Sequence, residues 1–321
     1  MKTSFNILMF FFILGLHACT ENSSNYLGEM NVPSDNPINK ANVLLGEKLF
    51  FDKRLSQDNS VSCASCHQPK YAFTDRKKVG EGVQGRKTLR NTPTLINVAY
   101  SKHFMFDGAI KTIEEQVLAP ISDSNEMNSS MREIVQKLKY DVYYRKQSKK
   151  IFGTEITPFV ITRSIAAYVR SLTNDNSKFD LFFRDKKSVL SPGEKRGWNL
   201  FSKKLACTQC HPPPHFTTYQ LANNGLYSDF VNDQGRYRID GVQKHKGFFK
   251  IPTLRNIALT APYMHDGSLE TLVDVIEHYQ KGGNKHINQS PYVRPFILTE
   301  IEKADLIAFL RTLTSEEINN R

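Results

Sequence analysis

Cys63-Ala64-Ser65-Cys66-His67 decides how this chain is read, because the pattern returns as Cys207-Thr208-Gln209-Cys210-His211. Two thiols at this spacing can form thioethers with the vinyl groups of a haem, while the imidazole that follows reaches the iron from one face. Random placement of the Cys and His residues would give only about 0.002 such runs in a chain of this length. A zinc knuckle would need a full tetrahedral set of nitrogen and sulfur ligands, and a redox pair has no use for the trailing His twice. The repeat therefore reads as two covalently bound haems c. Cys63, Cys66, Cys207 and Cys210 are the attachment points, and His67 and His211 the iron ligands.

A chain of 321 residues has room for two domains of ordinary size, which fits one haem motif per half. Composition is globular, with 40% hydrophobic and 23% charged residues. Part of the formal net charge of +11 is expected simply to balance the carboxylates that two haems bring. No run of basic and aromatic residues stands out, so nucleic acid is not an expected partner. The fifth cysteine, Cys19, closes a start in which an apolar run from Phe5 to Leu16 leads into Leu16-His17-Ala18-Cys19. This is a signal sequence over residues 1–18, too short to span a membrane. It resembles a bacterial lipoprotein signal, with Cys19 the lipidated residue; ordinary secretion with Cys19 discarded is the alternative. Either places the mature protein on the periplasmic side of a bacterial membrane. Residues 19–40, rich in Asn and Ser, read as a flexible tether.

Helical signals fill the remainder. Periodicity begins at Leu44, Leu45 and Leu49, and Thr112-Ile113-Glu114-Glu115 has the capping pattern of a helix start. Thr157-Pro158 opens a helix with Ile161, Ile165, Tyr168 and Leu172 on one face, and Ser191-Pro192-Gly193-Glu194 opens another leading to Cys207. A last helix begins at Thr299. No useful strand pattern is present. The fold expected is mostly α, two cytochrome c-like haem domains in tandem, over residues 41–187 and 188–321.

Beyond the haem motifs, longer stretches carry a resemblance. Leu45-Gly46-Glu47-Lys48-Leu49-Phe50-Phe51-Asp52, Arg90-Asn91-Thr92-Pro93-Thr94-Leu95, Phe106-Asp107-Gly108 and the run from Leu254 to Gly267 are similar to the bacterial di-haem cytochrome c peroxidase family, which includes MauG. The resemblance covers roughly Val43 to Leu313. It implies a peroxidatic N-terminal haem on His67 and an electron-entry haem on His211. It also implies Glu126 as the acid–base group that moves a proton between the peroxide oxygens, and Gln116 as a distal amide. Glu114 and Glu115 are rival carboxylates, but both fit a capped, solvated first turn. Many members block the peroxidatic iron with a His from the loop after the first motif; here that position is Glu81, so an open or weakly capped iron is expected.

On the second haem the position matching the usual Met ligand is Tyr279, as in MauG. An apolar helix face would also place Tyr279 in a core, and Met264 is the alternative ligand. Phe106 stands where the family places an inter-haem Trp, whereas Trp198 reads as structural and His215 as a surface loop residue. The resemblance further implies calcium, held by the Asn91 side chain and the Thr260 and Pro262 carbonyls, and often a homodimer. The function expected is reduction of hydrogen peroxide with electrons from a small cytochrome c or cupredoxin. The alternatives are a MauG-like oxidase of a partner protein and a non-catalytic electron carrier.

Overall fold

The computed structural model describes residues 26–315; the signal sequence and Cys19 lie outside them. The described chain is helix-rich. Its sheet consists of Leu221–Ala222 and Phe249–Lys250, paired antiparallel with Leu221 opposite Lys250.

Two helix pairs frame the molecule. Lys40–Phe50 starts on the Asn39 side chain, which accepts the Asn42 N–H, and buries Leu45, Leu49 and Phe50. Those residues meet Ile161, Ile165 and Tyr168 of Pro158–Arg170, which is capped by Thr157 and begins with Pro. Each such side chain taken out of water contributes about 1.5–3 kcal/mol. The two helices approach so closely at Gly46 that a Cβ there would fall on the Ser164 carbonyl and lie 2.9 Å from the Tyr168 Cβ.

The second pair repeats this arrangement. Pro192–Asn199, opened by the reciprocal Ser191/Glu194 capping box, lies against Glu300–Arg311. Here Gly197 takes the part of Gly46: a Cβ would fall on the Asp305 carbonyl and lie 2.7 Å from the Phe309 Cβ. A π-helical turn, Leu200–Lys204, then carries the chain towards Cys207.

Each pair supports its own core. The first gathers Leu45, Leu49, Phe50, Phe73, Ile134, Leu138, Ile161 and Ile165; the second gathers Leu200, Phe201, Phe216, Ile276, Leu306 and Phe309. Phe179, within Lys178–Phe183, is buried in the second core and touches Trp198, Phe216 and Phe309. The seam between cores therefore falls before this helix, ahead of the expected boundary at 187–188. The aromatic residues Phe179, Phe182 and Phe183, just before the charged run Arg184 to Lys187, pack into or against this second core.

Three local expectations are corrected. The described part of the 19–40 tether is docked, not free. The Leu27 carbonyl meets His215 Nε2 at 2.8 Å, Arg163 pairs with Asp35, and the Asn36 amide donates to Glu114 Oε1 at 2.6 Å. Glu114 is not solvated; it is buried and paired with Arg170 at 2.7 Å. Burial raises its carboxyl, but the Asn36 amide and the Arg170 guanidinium outweigh that and hold it below the usual range. His215, finally, is wedged between Tyr100 and Tyr219, with ring centroids at 4.8 and 5.5 Å.

Candidate active site

The two Cys-x-x-Cys-His motifs are built alike. Cys63–Cys66 forms a single helical turn with His67 at its end, and Cys207–Gln209 a tighter turn followed by Cys210 and His211. The Nδ1 of His67 lies 2.9 Å from the Phe73 carbonyl, and the Nδ1 of His211 lies 2.9 Å from the Phe216 carbonyl. A carbonyl can only accept, so Nδ1 carries the proton in both rings and Nε2 keeps its lone pair for a metal. Burial pushes both imidazoles down, His211 to about 4, which keeps them neutral.

A threonine from a later segment fixes the peptide next to each of these carbonyls. Thr94 Oγ1 donates to the carbonyl of Ala72, just before Phe73, and Thr253 Oγ1 donates to that of His215, just before Phe216, both at 2.6 Å. Behind them Asn97 and Asn256, both left-handed, receive N–H groups from Asn174 and Ser315. One arrangement is thus used twice, with Pro93-Thr94-Leu95-Ile96-Asn97 answering to Pro252-Thr253-Leu254-Arg255-Asn256.

The thiols carry their own signal. Burial raises all four, Cys63 and Cys207 to about 12 and Cys66 to about 11. Redox-active Cys-x-x-Cys pairs need the opposite, a depressed thiol. No three His, Cys, Asp or Glu side chains converge as a metal-binding set among the described residues. What fits the donor set is a group held through sulfur and capped by one imidazole.

Glu126 and Gln116 hang on one stretch, anchored through Ile113, Val117, Ile121 and Met127 in the first core. Glu126 is half-buried, and its charge reaches both Cys63 and Cys66, which places it at the first haem motif. Burial, helped by Asp123, raises its carboxyl to about 7. Gln116 Nε2 lies 3.2 Å from Met105 Sδ, while its buried Oε1 has no protein partner, as a group waiting for a ligand would be. Glu81 turns away. It pairs with Lys87 at 2.6 Å and Lys77 at 3.3 Å, while its neighbour Val83 donates its N–H to the Glu126 carbonyl.

The model described as di-haem cytochrome c peroxidase matches residues 40–188. The methylamine utilization protein MauG of Methylorubrum extorquens is 36% identical over 286 residues, 88% of this chain and 81% of that protein. The chain belongs to the di-haem cytochrome c peroxidase family. Cytochrome c551 peroxidase of Nitrosomonas europaea is 35% identical over 286 residues, 88% of this chain and 82% of that one. A solved MauG-like protein associated with microbial copper homeostasis superposes with a TM-score of 0.86 at 33% identity, covering 94% of this chain and 97% of its own. The protein is an oxidoreductase of the peroxidase class that works with two haems.

In this di-haem peroxidase the second site contains a residue that sequence reading missed. Asn224 Nδ2 lies 3.2 Å from Met264 Sδ, its side chain hydrogen-bonds Tyr279, and its carbonyl meets His278 Nε2 at 3.0 Å. Burial raises the Tyr279 phenol to about 12, Asn224 opposes that, and Cys210 and Cys207 add to it, so the phenol faces the second pair of thiols. Met264 packs instead with Phe106 and Leu269 around Phe230 and Phe249. Its counterpart in the first half is Met105, whose sulfur likewise rests on an amide. Nothing in the sequence marks Asn224 except a turn-forming Asn223-Asn224-Gly225, which carries no chemistry by itself.

Two of the expected calcium residues, Asn91 and Pro262, lie near one another, both beside Lys78. Asn91 Nδ2 is committed to the Lys77 and Lys78 carbonyls at 2.8 and 3.3 Å, leaving its amide oxygen as the atom able to face a cation. Lys78 and Pro262 line one shallow cleft with Arg76, Gly267 and Glu270. Among the described residues no helix is long and apolar enough to cross a membrane.

Proposed function

We propose that this protein reduces hydrogen peroxide to water on the His67 side, using electrons that a small cytochrome c or cupredoxin delivers on the His211 side. The observation that carries this reading is Glu126, a half-buried carboxyl beside Cys63 and Cys66 raised to about 7. Two haems c, attached through Cys63 and Cys66 and through Cys207 and Cys210, would supply the redox chemistry, with His67 and His211 as proximal ligands.

The side chains supply position and protons. Glu126 takes a proton from one peroxide oxygen and returns it to the other, a task best done by a group whose pKa lies near the working pH. Gln116 Oε1 orients the peroxide by accepting its remaining O–H. Glu81, held by Lys77 and Lys87, would leave a haem on His67 uncapped, so no prior reduction would be needed to clear it. Tyr279 would be the second ligand of the haem on the His211 side, with Met264 kept in the apolar seam. Calcium would be held by Asn91, Thr260 and Pro262. The tandem haem domains meet near the start of Lys178–Phe183, and the signal leads to a periplasmic lipoprotein anchored at Cys19.

Turnover of peroxide with a reduced cytochrome c is the test. Glu126→Gln should lower kcat about 10²–10⁴-fold while both haems stay bound; unchanged kcat removes Glu126 from the reaction. A second reading, oxidation of a residue in a partner protein, is favoured by Tyr279 and by the likeness to MauG. Phe106 argues against it, since phenylalanine does not relay oxidising equivalents as tryptophan does. Rapid peroxide turnover with a small donor separates the two. A high-spin signal from one haem in the oxidised protein rules out a pure carrier.

A further inference from the structure

The duplication that builds the two haem sites also places two residues opposite each other at the seam. Asn91 stands two residues before Pro93, as Lys250 stands two before Pro252. Each reaches into the other half: the Asn91 N–H donates to the His265 carbonyl at 2.8 Å, and the Lys250 N–H donates to the Phe106 carbonyl at 2.6 Å. His265 and Phe106 are themselves counterparts, each followed by Asp-Gly. By the same correspondence the carbonyl of Pro262, beside Asn91, answers to that of His103. Lys250 Nζ donates to this His103 carbonyl at 3.1 Å. Where one half offers an amide oxygen and carbonyls suited to a cation, the other inserts a cation of its own.

Among the described residues that cation has no carboxylate partner. The seam carboxylates are committed elsewhere, Asp107 to Arg90 and Arg238 at 2.8 Å each, and Asp233 to Arg90 at 2.6 Å. Among the described residues, the His103 carbonyl and the face of Phe104, 6.0 Å away, attend the Lys250 ammonium. Burial alone pushes it down to about 8. The side chain is half-buried, and a charge drawn this far from water is stabilised when an anion joins it.

The position identifies the anion. Two residues beyond Lys250, the Pro252 carbonyl faces the His211 ring. On the other side, the loop holding His103 and Phe104 continues to Met105, which touches Gln116 in the first site. The ammonium therefore lies between the two haem sites, and the acids that a haem brings to such a place are its own carboxylate side chains. We propose that Lys250 binds a haem carboxylate at the seam, a tethered counterpart of the cation site at Asn91. This rests on the two-haem reading above.

The holoprotein tests it through the reduction equilibria of both haems, with haem content measured separately so that loss of the haems themselves is recognised. Lys250→Met should shift one haem at least tenfold towards the oxidised form, about 59 mV for one electron, and change the Raman bending mode of its carboxylate. Lys250→Arg should keep both haems within about threefold of the parent. The haem that moves is the one whose carboxylate is bound. Should neither haem move by more than about twofold, or should both move equally as for a charge felt at a distance, the proposal is overturned. If Lys250→Met does not retain both haems, Lys250→Gln, uncharged but able to reach His103, is judged by the same shifts.

Discussion

At the scale of single residues, the proton-handling group has a pH signature of its own. With the Glu126 carboxyl raised to about 7 by burial and by Asp123, it is protonated in mild acid and cannot accept the peroxide proton there. The rate of peroxide reduction should rise with pH along a limb with apparent pKa near 7, and Glu126→Gln should flatten that limb. A profile unchanged by the substitution assigns the limb to another group. At the second site, Tyr279→Phe and Asn224→Leu should both alter the visible spectrum of the His211 haem, whereas Met264→Leu should not. If only Met264→Leu does so, the ligand is the sulfur. The haem motifs stand out because Cys-x-x-Cys-His is contiguous, whereas Gln116, Glu126 and Tyr279 enter only as positions that a family pattern names. Glu114 was misjudged for a physical reason: its partners Asn36 and Arg170 stand 78 and 56 residues away, and no local window contains them.

At the scale of elements, caps and periodicity read well because they are written into adjacent residues. The helix starts at Thr112, Thr157, Ser191 and Thr299 each carry a capping hydrogen bond. What the sequence hid was helix contact. Gly46 and Gly197 look like helix weakeners, yet each permits a close crossing that a methyl group would block. Alanine usually strengthens a helix by up to about 1 kcal/mol; at Gly197 the overlap with the Asp305 carbonyl should reverse that sign. Gly197→Ala should destabilise the holoprotein by about 1–3 kcal/mol in urea unfolding, with Gly46→Ala similar. Gly153, whose Cβ would meet nothing, is no substitute control, because its φ of +70° penalises alanine on backbone grounds alone. A stabilised Gly197→Ala would mean that the two helices can separate at little cost.

For the whole molecule the question is what makes two similar halves behave as one. Reciprocal N–H bonds at Asn91 and Lys250 cross the seam, and Arg90 locks it. Its guanidinium reaches Asp107 in its own half and Asp233 in the other, with all three side chains at most 10% exposed. Burial raises the Asp233 carboxyl, but Arg90 outweighs this and holds it below its ordinary value. A depressed carboxyl contributes stability above its unfolded pKa of about 3.9 and loses it as pH falls through the folded value, so this lock holds at neutral pH and opens only in strong acid. Arg90→Ala would leave two buried carboxylates, only one of which keeps an arginine, Arg238. Breaking a buried pair in this way costs about 3–5 kcal/mol, whereas Lys149→Ala, which breaks an exposed pair with Glu155, should cost under about 1 kcal/mol. Since the penalty falls on the seam and spares both cores, Arg90→Ala should also split one urea transition into two, followed separately by the absorbance of each haem. A single transition shifted by no more than that of Lys149→Ala would mean that the halves are joined by their apolar contacts, Phe106 against the cluster of Leu226, Phe230 and Phe249, and not by this charge.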